Sequence, residues 1–184
     1  ELQDKGVLAN CHVNVLQTQD HPQFKTYGEE LKWLTTDKTR MKWVANTIKD
    51  ISSSGNTLIL VDRISAGEIL EEQIEDAVFV SGSTKNTDRK EQYDEISTAT
   101  NKVIIATYGV AAVGINIPRI FNLVLIEPGK SFVRVIQSIG RGIRKAEDKD
   151  SVQIWDITSS CKFAKRHLGA RKKFYKEANY PYNI

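Results

Sequence analysis

From about residue 57 onward, apolar residues fall into two alternating patterns. Short runs read as strands buried on both faces: Thr57-Leu58-Ile59-Leu60-Val61, Ala77-Val78-Phe79-Val80, Lys102-Val103-Ile104-Ile105-Ala106, Leu123-Val124-Leu125-Ile126 and Val152-Gln153-Ile154-Trp155-Asp156-Ile157. Between them the apolar positions take helical spacing. Ser65 to about Gln73 predicts a helix capped by Ser65, with Ile64, Ile69 and Leu70 as its apolar positions. Thr87 to Ser97 predicts a polar helix that turns Tyr93 and Ile96 inward. Ser131 caps a helix whose Phe132, Val135, Ile136 and Ile139 form an i, i+3, i+4, i+7 stripe, and a basic helix runs from Cys161 to Glu177. Strands separated by helices imply βαβ units. The expected fold class is therefore α/β, a doubly wound parallel sheet with helices on both faces.

Residues 1–56 read as an N-terminal strand, connector and helix packed on this lobe. Cys11 to Leu16 alternates as an additional strand, and a polar connection leads to a helix from Asp37 to Ser52 with Met41, Val44, Ala45, Ile48 and Ile51 inward. The core then spans residues 57–160, and 161–184 form a basic helix and tail. The chain has 184 residues, 40% hydrophobic and 27% charged, as in a soluble globular domain. No apolar run approaches bilayer length, which argues against a membrane partner. Cys11 and Cys161 have neither metal-ligand spacing nor a disulfide framework, which fits a cytoplasmic location. His12, His21 and His167 are isolated, and no metal site is expected.

Charge is segregated. Residues 1–129 carry 13 Lys/Arg and 18 Asp/Glu, a net of −5, whereas residues 130–184 carry 13 and 5, a net of +8. A basic end is an electrostatic footprint for phosphates or nucleic acid, and also a common solubilising feature.

Two stretches carry chemistry. In Gln137-Ser138-Ile139-Gly140-Arg141-Gly142-Ile143-Arg144, two guanidinium forks stand three residues apart, on one face if the helix continues. Permanent planar cations so placed suit a polyphosphate and can stabilise charge on a transferring phosphoryl group. A solvated arginine face fits the octamer equally well. In Ile104 to Pro118, a buried strand ends at Thr107, whose hydroxyl would emerge at the carboxyl edge of the sheet, where α/β folds bind ligands. Thr107 and the next backbone N–H groups could hold a phosphate. Gly114 permits close backbone approach, and Asn116 can hydrogen-bond a sugar or fix the loop. The competing reading is an ordinary strand and helix joined by a capping Thr.

In order, the chain presents a strand with Asp62-Arg63, Val80-Ser81-Gly82, Ala106-Thr107 to Gly114-Ile115-Asn116, and then Gln137 to Arg144. This series resembles motifs IV, V and VI of the C-terminal RecA-like lobe of superfamily 2 helicases, over about residues 38–160. The octamer matches the family pattern Gln-x-x-Gly-Arg-x-x-Arg. Thr107-Tyr108-Gly109 and the wording around the octamer are most similar to phage-type DNA helicases.

The resemblance implies that Arg141 and Arg144 reach the γ-phosphate of an ATP held mainly, with its Mg²⁺, by an N-terminal RecA-like lobe. Gln137 would order that interface, and Gly114 and Asn116 would approach the ribose side. Asn116 stands where the family commonly has Asp, which keeps a hydrogen bond and removes a charge. Arg63, Gly82, Thr107 and Tyr108 would lie along the phosphates of a nucleic acid, DNA favoured. This chain lacks a Gly-x-x-x-x-Gly-Lys-Ser/Thr phosphate loop, so by itself it should be inactive as an ATPase. An RNA helicase lobe and a non-catalytic RecA-like binding module are the alternatives.

Overall fold

A computed structural model describes residues 11–80, 101–112, 120–129, 135–136, 152–177 and 182–183. Strands are β1 (Cys11–Thr18), β2 (Thr57–Val61), β3 (Val78–Val80), β4 (Val103–Thr107), β5 (Asn122–Ile126), β6 (Val152–Ser159) and β7 (Tyr182–Asn183). Helices are α1 (Tyr27–Thr36), α2 (Lys38–Ser52), α3 (Ile64–Gln73), α4 (Tyr108–Ala112) and α5 (Lys162–Glu177). The five strands expected after residue 57 all form. The helix expected over 87–97 lies outside the described residues. Of the one expected after Ser131, Val135 and Ile136 are described, helical and buried.

The strands form one sheet in the order β3-β4-β2-β5-β6-β1-β7, and every neighbouring pair is parallel. β1 runs beside β6 in unbroken register from Cys11↔Val152 to Thr18↔Ser159. The strand read as an addition to the lobe is thus part of its sheet.

Side-chain alternation divides the interior in two. Leu58, Leu60, Leu123 and Leu125 point into one core with Val110, Leu168 and Tyr175. Ile59, Val61, Val124 and Ile126 point into the other with Met41, Val44, Ile48, Ala66 and Leu70. Steps of the chain toward β3 place α2 and α3 on one face, and steps toward β7 place α4 and α5 on the opposite face, as right-handed crossovers require. The sheet is doubly wound.

Two local features differ from expectation. The polar connection contains α1, whose Thr26 cap accepts a hydrogen bond from the Glu29 amide (3.2 Å) and donates to the Glu29 carboxylate (3.0 Å). Helix α3 is capped at Arg63, not Ser65, with no side-chain cap bond, and Ile64 at its start is 53% exposed. That helix lies close on β3: a Cβ at Gly67 would stand 2.5 Å from the Phe79 ring.

Candidate functional site

In an all-parallel sheet the carboxyl ends of the strands share one edge, the usual ligand-binding edge of α/β folds. Strands β4, β2 and β5 are consecutive, with Val61 opposite Thr107 and Leu60 opposite Leu125. Thr107, the Asp62-Arg63 pair and Glu127-Pro128-Gly129 therefore stand side by side on that edge. The Thr107 hydroxyl accepts a hydrogen bond from the Val110 amide (3.2 Å), so it caps α4. Among the described residues no acceptor takes its hydroxyl proton. Arg63 is half-buried and donates through Nη2 to the Gly28 carbonyl (3.3 Å).

Tyr108 is turned inward, contrary to expectation. Its side chain does not reach the sheet edge beside Thr107, where a nucleic-acid contact was expected of it: it is 8% exposed, belongs to the core, and donates its hydroxyl to the Ile126 carbonyl (3.0 Å). The ring of the first residue after β4 folds back under the sheet, so only backbone remains there to face a ligand.

Glu127, directly after β5, is the most constrained residue of the edge. Its φ of 46° lies in the left-handed region, uncommon for a side chain of this kind. The conformation is held from several sides. The Glu127 amide donates to the Ile157 carbonyl (2.9 Å), Arg40 Nη2 donates to Oε1 (2.6 Å), and the Thr158 hydroxyl donates to Oε2 (3.2 Å). Arg40 of α2 also donates to the carbonyls of Leu34 (2.7 Å) and Thr158 (3.1 Å) and approaches the Asp20 carboxylate (3.6 Å). Burial raises the Glu127 carboxyl to about 7, against the opposing pull of Arg40, Arg171 and the Thr158 hydroxyl.

The next residue is held from the other face of the sheet. Arg171 of α5 donates through Nη1 to the Pro128 carbonyl (2.7 Å), while its Nε and Nη2 form a fork on Asp156 of β6 at 2.7 and 2.9 Å. Tyr175 donates its hydroxyl to the same carboxylate (2.6 Å). At Gly129 a Cβ would come within 3.0 Å of the Tyr27 hydroxyl, so a glycine lets α1 close over this point. Two buried arginines from opposite faces thus fix Glu127 and Pro128, the root of the segment that leads to Gln137, Arg141 and Arg144.

Sequence reasoning passed over these residues. Asp156, the one charged residue of the strand Val152–Ser159, was the available signal, because a buried carboxylate requires a partner. Arg171 and Tyr175 belong to the basic helix expected from Cys161 to Glu177, but both are buried. Glu30 of α1 is buried too, and its carboxylate accepts from the Phe163 and Ala164 amides (2.9 and 2.8 Å), capping α5. Gly82, Gly114, Asn116, Gln137, Arg141 and Arg144 lie outside the described residues.

A doubly wound parallel sheet with the motif IV and V strands adjacent, and the motif VI segment rooted beside them, defines the C-terminal RecA-like lobe of a superfamily 2 helicase. Residues 39–146 match the helicase conserved C-terminal domain, and the chain belongs to that family. It is 29% identical over 185 residues to the ATP-dependent DNA helicase uvsW of Enterobacteria phage T4, covering 95% of this chain and 37% of that protein. The crystal structure of T4 UvsW superposes with a TM-score of 0.81 at 21% identity, over 94% of this chain and 40% of that one. Dbp5 of S. cerevisiae, solved bound to RNA and ADP BeF3, shares the fold with a TM-score of 0.65 at 18% identity, over 100% and 44%. The chain spans well under half the length of the curated relatives it matches.

Proposed function

We propose that this chain is the nucleic-acid-gripping, arginine-finger lobe of an ATP-dependent motor that moves on DNA. The observation that carries the reading is the register of β2 and β4, which sets Arg63 and Thr107 on one edge beside the root of the motif VI segment. A guanidinium and a hydroxyl so placed can take phosphates of one strand without reading bases. The preference for DNA comes from the resemblance to uvsW, described as an ATP-dependent DNA helicase.

The donor set suits the phosphate end of a nucleotide. Arg141 and Arg144 offer two forks at i, i+3, with Gln137 four residues before Arg141. Bound ATP would supply a γ-phosphoryl group whose developing charge those forks stabilise. Gly114 and Asn116 approach its sugar side, and Gly82 joins Arg63 and Thr107 on the track. Because the chain has no phosphate loop, the nucleotide cradle and Mg²⁺ fall to a second RecA-like lobe. The buried clamp at Glu127 and Pro128 serves this chemistry by fixing where the arginine-bearing segment begins.

The test is steady-state ATP hydrolysis by the full-length protein with saturating DNA. Arg144→Ala and Arg141→Ala should each lower kcat by about 10³-fold while DNA affinity without nucleotide stays as in the wild type. Folded variants that hydrolyse ATP at the wild-type rate would assign these arginines to a solvated face.

A further inference from the structure

Helix α5 has two faces of different chemistry. Ala164, Leu168, Arg171 and Tyr175 are buried against the sheet. On the opposite side Lys162, Lys165, Arg166, Lys173 and Lys176 are all exposed, at spacings that keep them within one stripe along the helix. Gly169 sits in the middle of that stripe, and a Cβ there would meet nothing within 4 Å. From Lys162 to Lys176 the helix rises about 21 Å, enough to face several backbone phosphates.

The stripe is continuous with the ligand edge. Helix α5 starts directly after β6, so Lys162 and Lys165 lie at the carboxyl end of the sheet. There they line an open groove of about 540 Å³ with His21 and Phe24. The acid in that groove, Asp20, is already engaged by the hydroxyls of Thr18 and Ser159 (both 2.6 Å) and by Arg40. Glu30 occupies the first amides of α5, so the positive field here comes from side chains. Lys162 and Arg166 both lean on the Phe163 ring, 5.4 and 5.6 Å from its centroid, which steadies two of the five cations.

We infer that the outer face of α5 is a second contact surface for the nucleic-acid backbone, taking the strand after it leaves the edge marked by Arg63 and Thr107. The inference rests on the reading of that edge as a phosphate track. Five cations on a helix anchored by four inward side chains form a rigid, sequence-blind rail for phosphates. A flexible lysine tail would have to be ordered first.

The experiment uses the full-length protein and a fluorescent single strand of about 30 nucleotides, long enough to span more than one contact surface. Anisotropy titrations at several salt concentrations compare wild type, Arg63→Ala, and the triple variant Lys165→Gln, Arg166→Gln, Lys173→Gln. All three positions of the triple variant are exposed, and circular dichroism checks its fold. The triple variant should lower the slope of log affinity against log salt by roughly 2, and Arg63→Ala by roughly 0.7. A photo-crosslinking residue at Gly169 should capture the strand, while one at Lys42, exposed on the opposite face, should not. A wild-type slope in the triple variant with no capture at 169 overturns the rail, and if Arg63→Ala still lowers the slope the edge reading survives. If neither variant changes the slope, both readings fall. Preferential capture of an acidic protein, with DNA binding unchanged, also overturns the rail.

Discussion

Arg40 and Glu127, 87 residues apart in the chain, meet at 2.6 Å under the carboxyl edge of the sheet, and both are almost fully buried. One guanidinium there ties α2, the end of α1, β6 and the turn after β5 into a single network. Arg40→Met keeps most of the volume but takes the guanidinium donor from the Leu34 carbonyl and from Glu127 Oε1, leaving the Glu127 carboxyl only the Thr158 hydroxyl among the described residues. The expected loss is about 3–5 kcal/mol, larger at pH 8 than at pH 5 because a protonated Glu127 needs no cation. Urea unfolding at the two pH values reads this directly. A loss under about 1 kcal/mol at both would mean that the network contributes little.

Glu127 alone sets a second pH dependence. Its carboxyl rises from 4.5 in the unfolded chain to about 7 in the fold, because burial disfavours the charge more than Arg40 and Arg171 favour it. The folded state therefore binds the extra proton between those values. The stabilisation is complete below pH 4.5 and is lost as pH rises through 7, with up to about 3 kcal/mol at stake. Relative to Glu127→Gln, the wild type should lose stability between pH 5 and pH 8. Parallel stability profiles for the two proteins would show that the carboxyl titrates near its ordinary value.

Thr107 and Arg63 should differ in how they fail. Arg63→Ala removes a charge and lowers the salt slope alike for all sequences. Thr107→Ala removes a neutral hydrogen bond, costs about 0.5–1.5 kcal/mol of binding and leaves the slope unchanged. Because Thr107 also caps α4, its variant should be checked for folding by thermal denaturation. Sequence-dependent losses on homopolymer strands would point to base contacts at this edge.

Gly67→Ala is a packing test on the β3 side. Alanine is the better helix former, yet its Cβ would stand 2.5 Å from the Phe79 ring. The clash should outweigh the gain in helix propensity and destabilise by about 1–3 kcal/mol. Adding Phe79→Leu should recover part of the loss. An alanine variant as stable as wild type would show that β3 and its ring shift freely.

Much of the fold was legible in the chain because its strands are buried on both sides and read as runs of Val, Ile and Leu. The inward stripe of α2, from Met41 to Ile51, was legible by spacing alone. Helix α1 was not, although Thr26-x-x-Glu29 offered a capping signal, because two of its four buried residues are Glu30 and Thr35. Glu30 makes sense only beside the start of α5, 133 residues on. The same holds for the site. Thr107 and Arg63 could be placed at a strand end from the apolar run before each. The Arg40–Glu127 and Arg171–Asp156 pairs could not, since periodicity does not say which charge will be carried inside.

The pairing of β1 with β6 has a consequence for how the molecule is made. Cys11 to Thr18 find their partners in Val152 to Ser159, about 140 residues later in synthesis, with β2 to β5 emerging in between. At ordinary translation speeds β1 waits on the order of 10 s for its neighbour. During that wait the apolar Val13 and Val15 have no sheet to enter, and β5 presents an open edge where β6 will later lie. Such long-range pairing gives the lobe a high contact order and a slow last step. A ribosome-bound chain halted between β5 and β6 should therefore be the form most exposed to chaperones and to mispairing at that edge.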